Sequence, residues 1–339
     1  MELIGKEVLG KMADDEKVKA YENLGRLLTG KCSEYELGKV PKFEAVQAVN
    51  PEVLQRAIQS VLHTREIAQL YGRGLLTGSV SPQGVSWKYN VYVDNSETSY
   101  LFDELAETES YRFANDKLDK IEGEIKKYGK AVKISKEAQY VSNWGEIGRQ
   151  VKKLSDGGAR TENRKIYSLF IDHYLAPLAK LGTVLNIDSA ANAAPNAGRL
   201  IIDNVLTLRR MISSEPNPVP ATTLVVNTEQ EQTLLKMQLN DKIVFNFLNS
   251  VNMSIVTEST NKSQIAMFNV IVDHDMPTGY ALMTSDPVNV GEFKEAWALQ
   301  MINKPEELRD LEFVKASKAF GQQLYSYDTW GLIRGLTVI

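Results

Sequence analysis

Cysteine is almost missing: Cys32 is the only one in 339 residues. No disulfide can therefore close within the chain, and no cysteine cluster can hold a metal. Cys32 itself reads as a small inert side chain and not as a reactive thiol. Histidine is nearly as scarce. His63, His173 and His274 share no spacing that would put two of them on one face of a helix or strand for a metal. No run of about 18 apolar residues is available to cross a membrane as a helix, and Met1 to Met12 lacks the apolar core of a secretory signal. The chain is accordingly expected to be made and kept in a cytoplasm.

Catalytic signatures are absent as well. There is no Gly-x-Ser-x-Gly elbow, no phosphate loop ending in Gly-Lys-Ser/Thr and no His-Glu-x-x-His helix. An excess of positive charge is also missing, since 39 Lys and Arg face 43 Asp and Glu for a formal net charge of −4. That balance excludes a protein whose work is tight binding to phosphate backbones. Internal repeats and low-complexity tracts are lacking too.

What is present is enough apolar sequence, 43% of residues against 24% charged, to bury a sizeable core in about two domains, or in one domain with long arms. Residues 1 to about 75 read as largely helical. Val53, Ala57, Val61, Ile67 and Leu70 recur at near-helical spacing after the turn at Asn50-Pro51. Most of this segment is an amphipathic arm whose apolar face needs cover from outside. From Gly78 the period changes to two, with Val85, Trp87, Tyr89, Val91 and Val93 alternating with more polar residues up to a turn at Asp94-Asn95-Ser96. A return strand is expected from about Leu118 to Ile134, with an acidic tip between. Residues 99 to 127 also fit one charged helix, although Gly123 and Gly129 are poor in a helix interior and favour the hairpin.

A long helix should open at Asn143-Trp144-Gly145-Glu146 and bury Ile147, Val151, Leu154, Ile166, Phe170 and Tyr174. Gly157-Gly158 should bend it without dividing it. Beyond Pro195 follows an α+β unit: a helix over about 197 to 213, a strand at Thr223 to Val226, a helix capped by Asn227, and strands between Ile255 and Met283 with a type I turn at Met276-Pro277-Thr278-Gly279. Residues Leu299 to Val338 read as mixed helix and strand, with the apolar C-terminus tucked into a sheet.

Several clusters invite a functional reading and fall short of one. Asp273-His274-Asp275 could form a metal site or a general base, but neighbours in a strand point to opposite faces, so it reads as a polar strand end before Pro277. His173 reads as a core or interface histidine on the long helix. Gly72-Arg73-Gly74, with Gly78 after it, misses the dinucleotide spacing and precedes a strand, so these glycines read as a hinge between arm and hairpin. Asn252-Met253-Ser254 and Asn261-Lys262-Ser263 mean nothing without secretion. Arg209-Arg210, Lys126-Lys127 and Lys152-Lys153 read as solvated faces, and no concentrated basic patch is visible. No catalytic, cofactor-binding or metal residue is assigned. A cytoplasmic enzyme built around His274 would need a convergent acid, base or nucleophile, and none is seen.

Four tracts carry a resemblance. Lys127-Tyr128-Gly129-Lys130-Ala131-Val132-Lys133-Ile134-Ser135 leads into the long helix. Thr223-Leu224-Val225-Val226-Asn227 leads into a helix through Leu234-Leu235. Val270-Ile271-Val272 precedes Met276-Pro277-Thr278-Gly279-Tyr280-Ala281-Leu282 as a hairpin, and Trp330 to Ile339 forms a closing strand. In this order, from about Leu75 onward, the chain resembles the Hong Kong 97 fold of tailed-phage and archaeal tailed-virus capsid proteins. The resemblance implies an α+β fold with an N-terminal arm (1–75), an extended hairpin loop (76–135), a peripheral domain with a long spine helix (136–195 and 292–333) and an axial domain (196–291 and 334–339).

It further implies a structural protein of the virion that assembles from hexamers and pentamers into an icosahedral shell around double-stranded DNA, in the host cytoplasm. DNA contact would be non-specific. A portal, with scaffolding or decoration proteins, would be partners, and no cofactor or membrane is involved. Neither Lys126, Lys127 nor a C-terminal asparagine is assigned to the type member's lysine–asparagine crosslink, which is left unclaimed, and the short arm suits a separate scaffold protein or none. An encapsulin-type nanocompartment shares the fold but encloses enzyme cargo; the arm ahead of the hairpin points to the viral form. If the acidic hairpin tip lies over an adjacent subunit, deleting Ser99 to Lys117 will leave soluble monomers or small rings, as seen by electron microscopy. Full-size shells from that deletion would refute the hairpin's role.

Overall fold

The computed structural model describes residues 2–4, 11, 13–29, 39–41, 58–59, 66–80, 87–94, 118–135, 144–175, 183–186, 198–213, 220–241, 244–247, 267–306, 311–325 and 329–337. The chain forms two compact units. The first comprises Met1–Leu70, Lys126–Thr161 and Glu295–Phe320; the second comprises Tyr71–Ile125, Glu162–Lys294 and Gly321–Ile339.

The second unit is built on a six-stranded sheet of order β7-β14-β11-β8-β10-β9, made from β7 (Thr183–Asn186), β8 (Thr223–Val226), β9 (Val244–Phe247), β10 (Met267–Val272), β11 (Tyr280–Thr284) and β14 (Trp330–Arg334). β8 is a short continuous apolar run with Leu224, Val225 and Val226 all buried, the pattern of a strand covered on both faces. It pairs parallel with β10 and antiparallel with β11. β10 and β11 are therefore not the hairpin expected from the sequence, because β8 lies between them. The loop joining them also differs: the single turn expected at Met276–Gly279 is replaced by two, closed by Met276 N–H to Asp273 C=O at 3.2 Å and by Tyr280 N–H to Pro277 C=O at 3.2 Å. Helix α3 (Ile202–Ile212) buries Val205, Leu208 and Ile212, one face at helical spacing. Together with Leu224, Val226, Leu234, Val270, Ala281, Met283, Ile333 and Leu336 they form one core cluster. Helix α4 (Thr228–Asp241) follows β8 directly.

The same unit carries an antiparallel ribbon of β4 (Lys88–Asp94) and β5 (Leu118–Glu124), in register from Lys88↔Glu124 to Asp94↔Leu118. The hairpin reading holds for the described residues, and the helical alternative fails over 118–124; residues 95–117 lie outside the described set. The return strand is shorter than expected. It stops at Ile125, whose side chain is buried and whose N–H donates to Trp87 C=O at 2.8 Å. The next strand, β6 (Lys126–Ser135), belongs to a four-stranded sheet of order β3-β12-β13-β6, with β3 (Thr77–Val80), β12 (Gly291–Glu306) and β13 (Leu311–Leu324).

In the first unit β6 runs antiparallel to β13, from Ser135↔Leu311 to Lys126↔Phe320, and Tyr128 stacks on Phe320 with centroids 4.7 Å apart. The mixed helix and strand expected after Leu299 is corrected: among the described residues from Gly291 on there are strands and no helix. Phe293, Trp297 and Leu299 fall on a period of two, which the sequence already contains. The long helix α2 (Trp144–Leu175) is one continuous element across Gly157-Gly158. It buries Ile147, Val151, Leu154, Ile166 and Phe170, while the side chain of Tyr174 lies outside the described residues. Gly158 packs closely on Leu299, whose methyl end a Cβ there would meet at 3.3 Å.

The N-terminal segment is helical only in part. Helix α1 (Asp14–Thr29) is accompanied by a short parallel pair, β1 (Glu2–Ile4) with β2 (Lys39–Pro41), and Asn23 donates to Lys39 C=O at 3.4 Å. Val53, Ala57 and Val61 are outside the described residues. Among the described residues no helix is long and apolar enough to cross a membrane.

Lys318 on β13 and Glu66 form a buried ion pair at 2.5 Å. Breaking one partner of such a pair leaves a naked buried charge. Lys318→Met is therefore expected to destabilise the fold by about 3–5 kcal/mol, with most of the loss recovered in Glu66→Leu/Lys318→Met. Urea midpoints at unchanged m-value test this; a single variant unfolding with wild type would show that solvent reaches the pair.

Candidate functional site

The polar tract of greatest interest lies in the second unit, where the C-terminal part of α2 faces the loop between β10 and β11. Tyr167 on α2 donates its hydroxyl proton to Asp273 Oδ2 at 2.6 Å, and Asp273 Oδ1 accepts from Asp275 N–H at 2.9 Å. Arg164 Nε donates to Asp275 Oδ1 at 2.9 Å. Asn227 caps α4 as expected, its Oδ1 accepting from Glu229 N–H at 3.0 Å. Its amide also reaches across to the loop, donating to Met276 C=O at 2.5 Å and His274 C=O at 3.3 Å.

These bonds divide the Asp273-His274-Asp275 tract. Both carboxylates are buried and turned to helix partners, while His274 is exposed. The tract lies in the turn that follows β10, and His274 and Asp275 both line the cleft beside it. Burial, then the charge of Asp273, push the Tyr167 phenol well up. Burial likewise raises Asp273, against the lowering pull of the Tyr167 hydroxyl and the Asp275 N–H. A cleft of about 520 Å³ opens beside the loop, with Arg164 and His274 at polar positions and Ile171, Met276, Pro277 and Tyr280 among its walls. Ser168, Asn227, Glu229, Asp275 and Thr278 complete its polar lining. Among the described residues no group of three His, Cys, Asp or Glu could hold a metal.

Two clusters escaped the sequence. Arg73 grips Glu162 through Nε at 2.8 Å and a second nitrogen at 3.0 Å, and lies 4.5 Å over the Phe293 ring. Gly72 N–H donates to Asn163 Oδ1 at 3.0 Å, and a Cβ on Gly72 would stand 3.3 Å from Asn163. Gly72 and Arg73 are thus an anchor on α2, which corrects the hinge reading at these residues; Gly74 and Gly78 face open space. Nothing in a sequence signals a pair 89 residues apart.

The other cluster holds the root of the β4–β5 ribbon. The Tyr89 ring fits a slot whose walls are Gly123 and Gly321, where an added Cβ would come within 2.5 and 3.0 Å of it. Lys294 Nζ sits 4.2 Å over the same ring. Tyr325 donates to Glu292 Oε2 at 3.0 Å, and burial with that charge pushes its phenol up to about 12.

Of the remaining sequence candidates, Cys32, His63 and the two Asn-x-Ser triplets lie outside the described residues. His173 is within α2, though its side chain is not described. Lys152-Lys153 lie on α2, Lys126-Lys127 on β6, and Arg209-Arg210 in the last turn of α3, where positive charge suits the helix dipole.

The model of a family described as phage capsid protein matches residues 119–331, more than half of the chain. The chain belongs to this family. Its fold is the Hong Kong 97 fold: a capsid of a native GTA particle is similar at 17% identity with a TM-score of 0.55, over 80% of this chain and 90% of that one. A virus-like particle from Pyrococcus furiosus is similar at 9% identity and TM-score 0.52, over 83% of this chain and 99% of the other. The capsid of Cyanophage P-SCSP1u is similar at 11% identity and TM-score 0.52, over 77% and 86%. Comparison with curated proteins finds no sequence match. A phage capsid protein has a structural role, and the polar tract around Asp273 is accordingly read as architecture.

That role has a pH signature. Because burial raises Asp273 in the folded state above its unfolded value of about 3.9, the folded chain holds this proton more tightly, and its contribution to stability falls as pH rises between the two values. Asp273→Asn is expected to remove that slope, so wild type loses stability relative to the variant as pH rises from about 4 towards neutrality. Urea midpoints of both proteins across that range are the check, and parallel curves would contradict it.

Proposed function

We propose that this phage capsid protein is the major shell-forming subunit of a tailed virus, assembling as hexamers and pentamers into an icosahedral shell around double-stranded DNA. The observation that carries the proposal is the family match across residues 119–331, a span that includes β5, α2 and five strands of the six-stranded sheet as well as the start of β14. The domain division read from the sequence stands as part of the proposal, with a peripheral domain over 136–195 and 292–333 and an axial domain over 196–291 and 334–339. Residues 1–75 serve as the arm and 76–135 as the extended loop.

Physical reasoning supports assembly. A two-stranded ribbon is marginal by itself, and β4–β5 forms a sheet of its own with acidic residues 95–117 between its strands. Such a segment gains stability by lying on another copy, and repeated head-to-tail contacts of this kind close into rings. An interface of about 1,600 Å² is already stable, and interlocked subunits share several. The GTA particle similar in fold has a capsid computed with C5 symmetry, the ring closure that a pentamer needs. A portal, with scaffolding or decoration proteins, completes the expected set of partners.

Electron microscopy of the purified full-length chain is expected to reveal closed particles with five- and six-fold clusters. Native particles should contain nuclease-protected double-stranded DNA. A chain that remains a monodisperse monomer at high concentration overturns the shell, and enzyme cargo in place of DNA overturns the viral reading in favour of a nanocompartment.

A further inference from the structure

Overall the chain is acidic, yet residues 147–161 of α2 hold four basic residues, Arg149, Lys152, Lys153 and Arg160, against the single acid Asp156. Separated along the sequence, they form no visible patch. On a helix of 3.6 residues per turn the spacings of four and seven bring Arg149, Lys153 and Arg160 within about 40° of one another, in a row about 17 Å long. All three are exposed, and Lys152 is half-buried beside them. The row belongs wholly to the first unit.

A second observation falls on the same surface. The adjacent glycines each cost helix stability, and only one of them is explained by packing. Gly158 accommodates Leu299, whereas Gly157 is exposed and an added Cβ there would meet nothing within 4 Å. Gly157 lies about 40° around the helix from Lys153. The helix thus presents three exposed cations, with the half-buried Asp156 about 20° from Arg149 on the same face, beside Gly157, which has no side chain and whose carbonyl accepts from Thr161 Oγ1 at 2.7 Å.

We propose that this face of α2 is the surface on which each subunit meets the phosphate backbone of the enclosed duplex, resting on the capsid reading above. Three exposed cations on one helical face, outnumbering the one acid among them, suit a regular polyanion, which carries one charge per roughly 1.7 Å of duplex axis, and need no base-specific contact. Few contacts per subunit make each attachment weak and reversible. The other candidate occupant, the acidic segment 95–117 of a second copy, is separated by the test.

In that test Arg149→Gln, Lys153→Gln and Arg160→Gln are combined in the full-length chain, since glutamine keeps helix propensity close to that of lysine and arginine. A control variant removes the same charge elsewhere in the first unit, with Lys11→Gln, Lys19→Gln and Lys315→Gln, three exposed lysines away from the β6 edge. Binding of unassembled subunits to a labelled random-sequence duplex is measured by fluorescence anisotropy across a salt series, and particle formation is followed by electron microscopy. The α2 variant is expected to bind at least tenfold more weakly at low salt, with the slope of log K against log salt shallower by about 2 to 3. The control should keep the wild-type slope, and both variants should form particles. Equal effects of the two variants, an unchanged slope, or wild-type subunits with no duplex affinity at low salt overturn the proposal. Loss of particles in the α2 variant alone also overturns it and assigns the row to a contact between copies. If wild type forms no particles while the slope difference persists, the capsid reading fails and phosphate binding stands.

Discussion

The second unit depends on a strand contributed by the end of the chain. β14 lies between β7, with which it is parallel, and β11, with which it is antiparallel, so the two strands have no shared neighbour until residues 330–334 arrive. Trp330, Leu332 and Ile333 are fully buried there, and Trp330 meets Phe170 edge-on with centroids 5.2 Å apart. Beyond the strand, Gly335 takes φ of 84°, a left-handed conformation that suits glycine. Gly335 N–H and Leu336 N–H both reach back to Gly279 C=O, at 3.1 and 3.2 Å. The position of the loop before β11 is thereby tied to the last residues of the chain. Pairings of this sequence separation delay folding, because loop closure must be completed before burial rewards it.

That loop is also held from the other side. Asn227 does two jobs with one side chain, capping α4 with its oxygen and bonding loop carbonyls with its amide. Tyr167 and Arg164 then hold the two acids of the loop against α2. None of this adds much net stability, because a buried carboxylate loses its water before it gains a hydroxyl. Its effect is on choice: only one seating of the loop satisfies every one of these groups, and the alternatives strand a buried charge. The same logic applies to Lys318 and Glu66 in the first unit.

These relations mark the limit of what the sequence could disclose. A short apolar run followed by an asparagine is enough to find β8 and the cap of α4, and a stripe at helical spacing is enough to find α2 across two glycines. Local pattern says nothing about which strands pair. β8 between β10 and β11, or the exchange of sheet partner at Ile125, depends on distant burial that no period of two can encode. The closing strand from Trp330 was legible, whereas β12 and β13 read only as mixed helix and strand although Phe293, Trp297 and Leu299 alternate, because the polar residues between them also fit a helix. The Asp273-His274-Asp275 tract, read from the sequence as a polar strand end, lies in the turn that follows β10. Arg73 with Glu162, and Tyr89 in its glycine slot, unite residues with no local signal at all.

On the shell-forming reading, a subunit that joins copies of itself has to refuse most of the ways in which strands can join. β6 ends the four-stranded sheet, so its outer backbone groups are the kind of edge on which sheets of other molecules could stack without limit. Lys126, Lys127 and Lys130 are exposed along it, and like charges brought together edge to edge repel. Placing lysines there costs the first unit little, because the opposite edge of the strand still carries its whole ladder to β13. Open-ended strand addition is thus disfavoured by the same residues that leave the sheet intact, and association is left to surfaces whose geometry closes.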